Sequence, residues 1–349
     1  MNTPNHIPPQ QFQTALLGWY ARGHRAMPWR DETASPYHIW LAEVMLQQTT
    51  VTAVIPYYQR FLQRFPTLQS LAEAPIDDVL QHWQGLGYYR RAHMLHKCAQ
   101  TILQNHNGRF PTTEAELLTL PGLGPYTAAV IAATAFNTAA NVVDGNVERV
   151  ISRLYRVQQE LPAAKNTLRN LAAHLSPTEH GTQNTRHSQY ANAIMELGSQ
   201  VCTPTNPQCL LCPVAQWCEA NHHGDQTTYP RKAPKKQTPH HTATAWLITD
   251  AAGHIYLQQR PATGLLASLY ELPHSGWEPK STPQQAPLPL DTQTECDSIT
   301  HVFSHFKLTL NLLHTEVETI PAANRFTTDN LPALSTLMRK ALTHALKRR

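Results

Sequence analysis

Four cysteines, Cys202, Cys209, Cys212 and Cys218, fall within 17 residues in the pattern C-x6-C-x2-C-x5-C. A reducing cell interior keeps thiols free, so cysteines this dense point to a metal rather than to disulfides. Four thiolates suit either tetrahedral zinc or a cubane iron–sulfur cluster, since both take soft sulfur ligands. Zinc sites usually pair two short hooks, and a single CxxC here favours iron–sulfur. Cys98 and Cys296 stand alone and read as structural.

Two carboxylates stand in unlike settings. Glu43 lies among Leu41, Val44, Met45 and Leu46 on a helix whose sequence is apolar around most of its circumference. Desolvation there is expected to raise its pKa and keep its proton available. Asp144 precedes a helix beginning near Asn146; it reads as an ordinary N-cap, and helix-end N–H groups would also hold it ionised. In LPGLGPYTAAVIA, Leu120 to Ala132, Gly122 and Gly124 lie between two helical patterns. Such a turn is either a tight helix connection or a backbone cradle that grips a phosphate without reading sequence.

The elements that must position these groups are helical over residues 10–222. Ser35 caps and Pro36 opens SPYHIWLAEVMLQQT, and periodicity predicts helices near 51–64, 76–82, 90–106, 114–119, 125–135, 146–156, 164–174 and 188–199. After Gly224 the run GDQTTYPRKAPKKQTPHH is polar, basic and proline-bearing, a linker composition. ATAWLITD and HIYLQQR, separated by AAG, read as a hairpin. Pro279, Pro283, Pro287 and Pro289 mark a surface loop, and VFSHFKLTLNLLHTEV reads as a strand. The last segment has helical periodicity at Leu334, Met338, Ala341 and Leu342. This second half is a small α/β or α+β domain, and no internal repeat is visible.

With 349 residues, two or three domains are expected. A 41% apolar and 15% charged composition fits a globular chain. No apolar run approaches the ~18 residues of a membrane span, and MNTPNHIPPQQF lacks the marks of a secretory signal; a cytoplasmic, nucleoid-associated protein is expected. Residues 1–225 carry 15 charges of each sign and residues 237–349 carry 9 of each, so the net +4 resides in Arg231, Lys232, Lys235 and Lys236. A nucleic-acid surface must then come from local clusters such as Arg22/Arg25/Arg30, Arg90/Arg91/Lys97 and Arg149/Arg153/Arg156.

The hairpin LPGLGPYT, the segment VVDGNVERV and the cysteine loop together resemble the helix-hairpin-helix DNA glycosylase superfamily. LAEVMLQQT, GLGYYRRA and FSH at Phe303–His305 are similar, more specifically, to MutY-type adenine DNA glycosylases. The likeness is dense from Leu16 to Cys218 and sparser to residue 349. It implies a multidomain fold. An all-α catalytic region, 1–223, would combine a six-helix module, roughly 30–138 with its hairpin at 114–132, and a cluster module from 10–29 and 139–223. A basic linker, 224–240, would lead to a small α+β Nudix-like domain, 241–349, that recognises the lesion. It also implies a 4Fe–4S cluster on the four cysteines that organises a DNA-binding loop and does no chemistry. Glu271 and Glu278 are isolated and no acidic Nudix box occurs, which disfavours a magnesium-dependent pyrophosphatase.

The resemblance implies a monomeric, membrane-free base-excision enzyme that flips adenine out of A:8-oxoguanine or A:G mispairs in duplex DNA and hydrolyses its glycosidic bond. Such a cleavage needs one carboxyl to protonate the base and another, ionised, beside the developing positive sugar. The family assigns the first role to Glu43 and the second to Asp144, supported by Asn146. Tyr126 stands where lyase relatives resembling endonuclease III carry a Schiff-base lysine, which implies a monofunctional glycosylase. By the same resemblance Gln48, Thr49 and Tyr88 wedge into the duplex, while Gly122 and Gly124 hold phosphate. Arg25, Trp29, Arg30 and Leu46 line the adenine pocket, and Phe303, Ser304 and His305 read 8-oxoguanine. His93, Met94 and Asn192 depart from the family pattern. The competing readings are a bifunctional glycosylase for damaged pyrimidines and a non-catalytic iron–sulfur DNA-binding protein.

Overall fold

Ser35 caps the helix that carries Glu43: its Oγ accepts from the backbone N–H of His38 at 3.4 Å, and the His38 ring reaches back to the Ser35 N–H. In the computed structural model, which describes residues 7–31, 33–178, 186–234, 237–277, 285–288 and 293–347, this is the second of a run of helices. Lys235, Lys236, Glu278, Pro279, Pro283 and Pro289 lie outside the described residues. In order the helices are α1 (Pro9–Arg22), α2 (Pro36–Leu46), α3 (Val51–Arg64), α4 (Leu68–Ala72), α5 (Ile76–Trp83), α6 (Arg90–Asn105), α7 (Glu114–Leu117), α8 (Pro125–Phe136), α9 (Gly145–Leu154), α10 (Lys165–Leu175), α11 (His187–Gln200) and α12 (Glu219–His222). The helices expected from periodicity are present, most within a residue or two of their expected ends.

The chain divides into two compact units: residues 1–51, 67–69 and 97–235, and residues 52–66, 70–96 and 236–349. In the first unit α2 and α8 are apolar on nearly every face and pack against each other, while α11 packs on α8, α1 and α9. A helix apolar all round must be buried, so α2 and α8 form the interior wall. A neighbouring core joins Phe12 and Leu16 of α1, Val147, Val150 and Ile151 of α9, Leu168 of α10 and Ile194 and Leu197 of α11.

The second unit holds α3, α5 and a mixed sheet of strands β1 (His240–Asp250), β2 (Ile255–Tyr256), β5 (Thr294–Val302), β6 (Lys307–Val317) and β7 (Arg325–Phe326), ordered β5-β6-β1-β2-β7. The strands β3 (Gln258–Gln259) and β4 (Tyr270–Glu271) pair separately, and α13 (Thr336–Lys347) covers the sheet. Strand β1 runs parallel to β6 and antiparallel to β2. Three features differ from the sequence reading. HIYLQQR is split: Ile255–Tyr256 joins the main sheet beside β1, while Gln258–Gln259 pairs with β4 in the separate one. VFSHFKLTLNLLHTEV is not one strand: β5 ends at Val302, and the Phe303 N–H donates to the Phe306 carbonyl at 2.8 Å across a tight turn. Strand β5 itself goes unmarked in the sequence. A bulge between Glu295 and Asp297 sets its buried residues Cys296 and Ile299 three apart, which breaks the two-residue alternation. Within this unit Tyr89 Oη and Gln84 Nε2 both donate to the Leu334 carbonyl, at 3.1 and 2.9 Å, tying the α5–α6 corner to the segment before α13.

Leu308, Leu310 and Leu312 of β6 are completely buried beneath α13, with Leu337, Met338 and Ala341 opposite. Truncating Leu310 to alanine is predicted to cost about 2–5 kcal/mol, read as faster amide exchange along β1 and β6. Unchanged protection there would contradict this core.

Candidate active site

Glu43 sits at the middle of α2 and is 7% exposed, enclosed by the apolar side chains that make the helix an interior wall. Burial is the largest influence on its carboxyl and lifts its pKa to about 7, against the lowering effect of Tyr126 and Arg30. Tyr126 Oη, from the first turn of α8, donates to Glu43 Oε2 at 2.9 Å. Burial and the negative charge of Glu43 and Asp144 hold the Tyr126 phenol well above its ordinary pKa, so it stays a donor. Arg30 and Asp144 both act on the Glu43 carboxyl and on the Tyr126 phenol.

Asp144 is the N-cap of α9. Its Oδ1 accepts from the Val147 N–H at 2.8 Å, and its Oδ2 accepts from Asn146 Nδ2 at 2.7 Å. The amide of Asn146 is oriented in turn, because its Oδ1 accepts from Arg149 Nη2 at 2.9 Å. Arg149 also donates to the carbonyls of Gly198 and Cys202, both at 2.7 Å. Glycine at 198 is required by this approach: a Cβ there would stand 2.7 Å from Asn146 Cβ and 3.0 Å from its carbonyl oxygen.

Arg25 and Arg30 converge on Glu196 of α11, whose side chain is 2% exposed. Arg25 binds it through two nitrogens, at 2.6 and 3.0 Å, and Arg30 Nη1 at 3.0 Å. The two guanidiniums outweigh burial and hold Glu196 below the usual carboxylate range. The sequence reading passed over Glu196. Its signal is a lone carboxylate three residues after Ala193 and next to Leu197, on a helix whose other buried residues are mostly apolar. Trp29 is buried and Leu46 half-buried at the end of α2.

The turn before α8 has Gly122 at φ +78°, in the left-handed region glycine favours. Gly124 has ordinary extended backbone, and a Cβ added there would meet no atom within 4 Å. These glycines, with Gln47, Pro125, Tyr126, Thr127, Val143, Glu148, Lys165 and Arg169, line a pocket of about 450 Å³. Gln48 is exposed at φ +61°, and Thr49, half-buried beside it, donates its N–H to Leu46 at 3.1 Å. In the second unit Tyr88 is exposed at φ +48°, with its hydroxyl 3.0 Å from Ser304 Oγ. Non-glycine residues in that region are strained, and such strain concentrates at functional sites. Phe303 stacks on Trp277 and Phe306, with ring centroids at 5.2 and 4.5 Å, which leaves Ser304 and His305 exposed at the tip of the turn. Of the departures, His93 bonds the Ala267 carbonyl at 3.0 Å, while Met94 and Asn192 are half-buried.

The arginine clusters expected to supply a nucleic-acid surface are largely committed inside the fold. Arg25 and Arg30 serve Glu196; Arg91 donates to the carbonyls of Leu86 and Gly87; Arg149 and Arg153 hold the cysteine loop; Arg156 pairs with Asp225. Helical spacing cannot tell a guanidinium that faces solvent from one that satisfies interior carbonyls. Arg22, Arg90 and Lys97 remain exposed.

All four clustered cysteines are free, and three of them, Cys202, Cys212 and Cys218, pack against the α1–α9–α11 core. Burial pushes Cys212 up to about 12 and Cys218 to about 11, so these thiols ionise only beside a compensating positive centre. Arg153, 1% exposed, donates to Cys202 Sγ at 3.2 Å and to the carbonyls of Thr203, Pro204 and Tyr229. Among the described residues no carboxylate pairs with it, and a buried charge requires a counter-charge. An anionic centre on four thiolates supplies one, so the donor set fits a sulfur-bound metal cluster. No three described histidine, cysteine or acidic side chains stand at the spacing of a single-ion site.

The model of the HhH-GPD superfamily base excision DNA repair proteins matches residues 41–177, that of the iron–sulfur binding domain of endonuclease III matches residues 202–218, and that of the NUDIX domain matches residues 244–344. The human adenine DNA glycosylase is 33% identical over 404 aligned residues, covering 94% of this chain and 73% of that protein. The adenine DNA glycosylase of Mycobacterium tuberculosis is 40% identical over 223 residues, 63% of this chain and 70% of that one. Among solved structures, a thermostable thymine-DNA glycosylase aligns with TM-score 0.55 and 26% identity, over 62% of this chain and 97% of its own. A trapped endonuclease III–DNA intermediate, 23% identical, aligns with TM-score 0.51 over 62% of this chain and 99% of its own, and shares the fold. The segment 202–218 is thus the binding domain of a 4Fe–4S cluster, and the chain belongs to the adenine DNA glycosylases, enzymes of base-excision repair that hydrolyse an N-glycosidic bond in DNA.

Proposed function

We propose that this enzyme removes adenine mispaired with 8-oxoguanine or guanine, with Glu43 as general acid and Asp144 as the anion that stabilises the sugar cation. The observation that carries the reading is the pair of unlike carboxyls within one electrostatic neighbourhood: Glu43 raised to about 7 by burial, Asp144 held by a helix N-terminus and Asn146. Glu43 gives its proton to N7 of the flipped adenine, and the C1′–N9 bond breaks with its electron pair leaving on the base. Asp144 faces the positive charge left on the deoxyribose. Water adds to C1′ and returns a proton to Glu43, which restores the acid. Tyr126 positions the Glu43 carboxyl and, lacking an amine, forms no imine with the opened sugar. The product is therefore an abasic site in an intact strand.

Arg30 and Glu196 supply a donor and an acceptor to the pocket wall, with Arg25, Trp29 and Leu46 beside them. Gln48, Thr49 and Tyr88 hold the gap left by base flipping, and the hairpin glycines take a phosphate. Phe303, Ser304 and His305 read 8-oxoguanine from the turn after β5. The 4Fe–4S cluster supplies folding energy and fixes the loop from Cys202 to Cys218; no step of the hydrolysis passes through it. The protein acts as a monomer, in the cytoplasm at the nucleoid, with the catalytic region in 1–223, the linker in 224–240 and lesion reading in 241–349.

Single-turnover excision from A:8-oxoguanine, A:G and thymine-glycol duplexes tests the reading. Release from the first two and none from the third is expected; the reverse order would overturn it. Glu43→Gln should lower adenine release about 10²- to 10⁴-fold with DNA affinity retained. In the parent enzyme the rate should fall as pH rises through about 7, where Glu43 loses its proton. A flat profile over that range would remove Glu43 from the acid role. Gly198→Ala pushes on Asn146 and should slow excision on the order of 10²-fold with the cluster absorbance intact. A parental rate in that variant would show that Asn146 does not position Asp144.

A further inference from the structure

The internal commitment of the arginine clusters raises the question of where the positive charge that faces the DNA strand comes from. Two cations line the pocket shared with the hairpin: Lys165 and Arg169 of α10. They lie one turn apart and so project from the same face. The adjoining stripe carries Leu168, Ala172 and Leu175, all buried, so α10 is anchored by its apolar side with the two cations at the edge of that contact. Both cations are exposed, and they stand in the pocket with Gly122, Gly124, Pro125 and Thr127. Lys165 Nζ lies 3.9 Å from Glu148 Oε1, a long contact at an exposed lysine that contributes little. Arg169 is within electrostatic reach of Glu114. Neither is buried against interior carbonyls as Arg149 and Arg153 are.

We infer that Lys165 and Arg169 form the second jaw of a phosphate clamp, opposite the hairpin, and hold the backbone of the strand that presents its base to Glu43. The inference rests on the proposed grip of the hairpin on DNA. The hairpin offers backbone N–H groups and the positive end of α8, which fix the position of a phosphate. The two side chains add charge across the same pocket, where a phosphodiester of any sequence satisfies them. Glu148 shares the pocket and offsets part of that charge.

The experiment is a salt titration of duplex binding by the full-length, cluster-loaded protein. Lys165→Gln and Arg169→Gln are each compared with the parent on A:8-oxoguanine and on fully paired duplex. Each substitution is expected to weaken both complexes by the same factor and to flatten log K against log salt by about 1. Glu148→Gln should strengthen binding. Gly124→Ala serves as the reference for the hairpin, because its Cβ meets nothing in the free protein, and it should weaken DNA binding. Unchanged slopes in the two cation variants, with Gly124→Ala impaired, would overturn this inference and leave the hairpin reading standing. Unchanged binding in all three would overturn both. A loss confined to the A:8-oxoguanine duplex would also contradict the clamp, since it would mean the side chains read the lesion.

Discussion

A carboxyl group walled in by hydrocarbon costs far more as an anion than as an acid, and α2 places Glu43 in that position. Leu41, Ala42, Val44 and Met45 are buried around it, and α8 closes the wall with seven buried residues from Thr127 to Ala133. The raised pKa of Glu43 is a consequence of that packing. The Tyr126 hydroxyl and the Arg30 field both act against that effect on the carboxyl. Loosening the wall would let water reach the carboxyl and return it to its ordinary ionised state.

Asp144 sits in a polar setting instead. A helix N-terminus and the Asn146 amide both donate to it, and Arg149 fixes which end of that amide faces the carboxylate. Because Arg149 also binds the carbonyl of Cys202, the first residue of the iron–sulfur segment shares a hydrogen-bonded chain with the carboxylate. The close seat of Gly198 against Asn146 locks the same arrangement sterically. The cluster loop is thereby tied by hydrogen bonds to the residues that surround Asp144.

Much of this was legible in the sequence because the informative residues are local signals. The cysteine spacing, the glycines of the hairpin, the Ser35 cap and the apolar run around Glu43 each state their surroundings within a few positions. Failures came where tertiary partners decide. Glu196 looks like any helical glutamate until Arg25 and Arg30 arrive from over 160 residues away. The arginine clusters resembled a basic surface, yet interior carbonyls and carboxylates consume most of them. Strand β5 was hidden by its bulge, and the FSH turn by the strand-forming residues on either side of it.

Titrating the Glu43 carboxyl itself, by isotope-edited infrared or carbon NMR on the DNA-free holoenzyme with Glu43→Gln as the blank, tests the central claim most directly. A midpoint near about 7 is predicted. A midpoint close to that of a solvated glutamate would mean that the apolar wall does not hold the proton, and the assignment of the acid would fall with it.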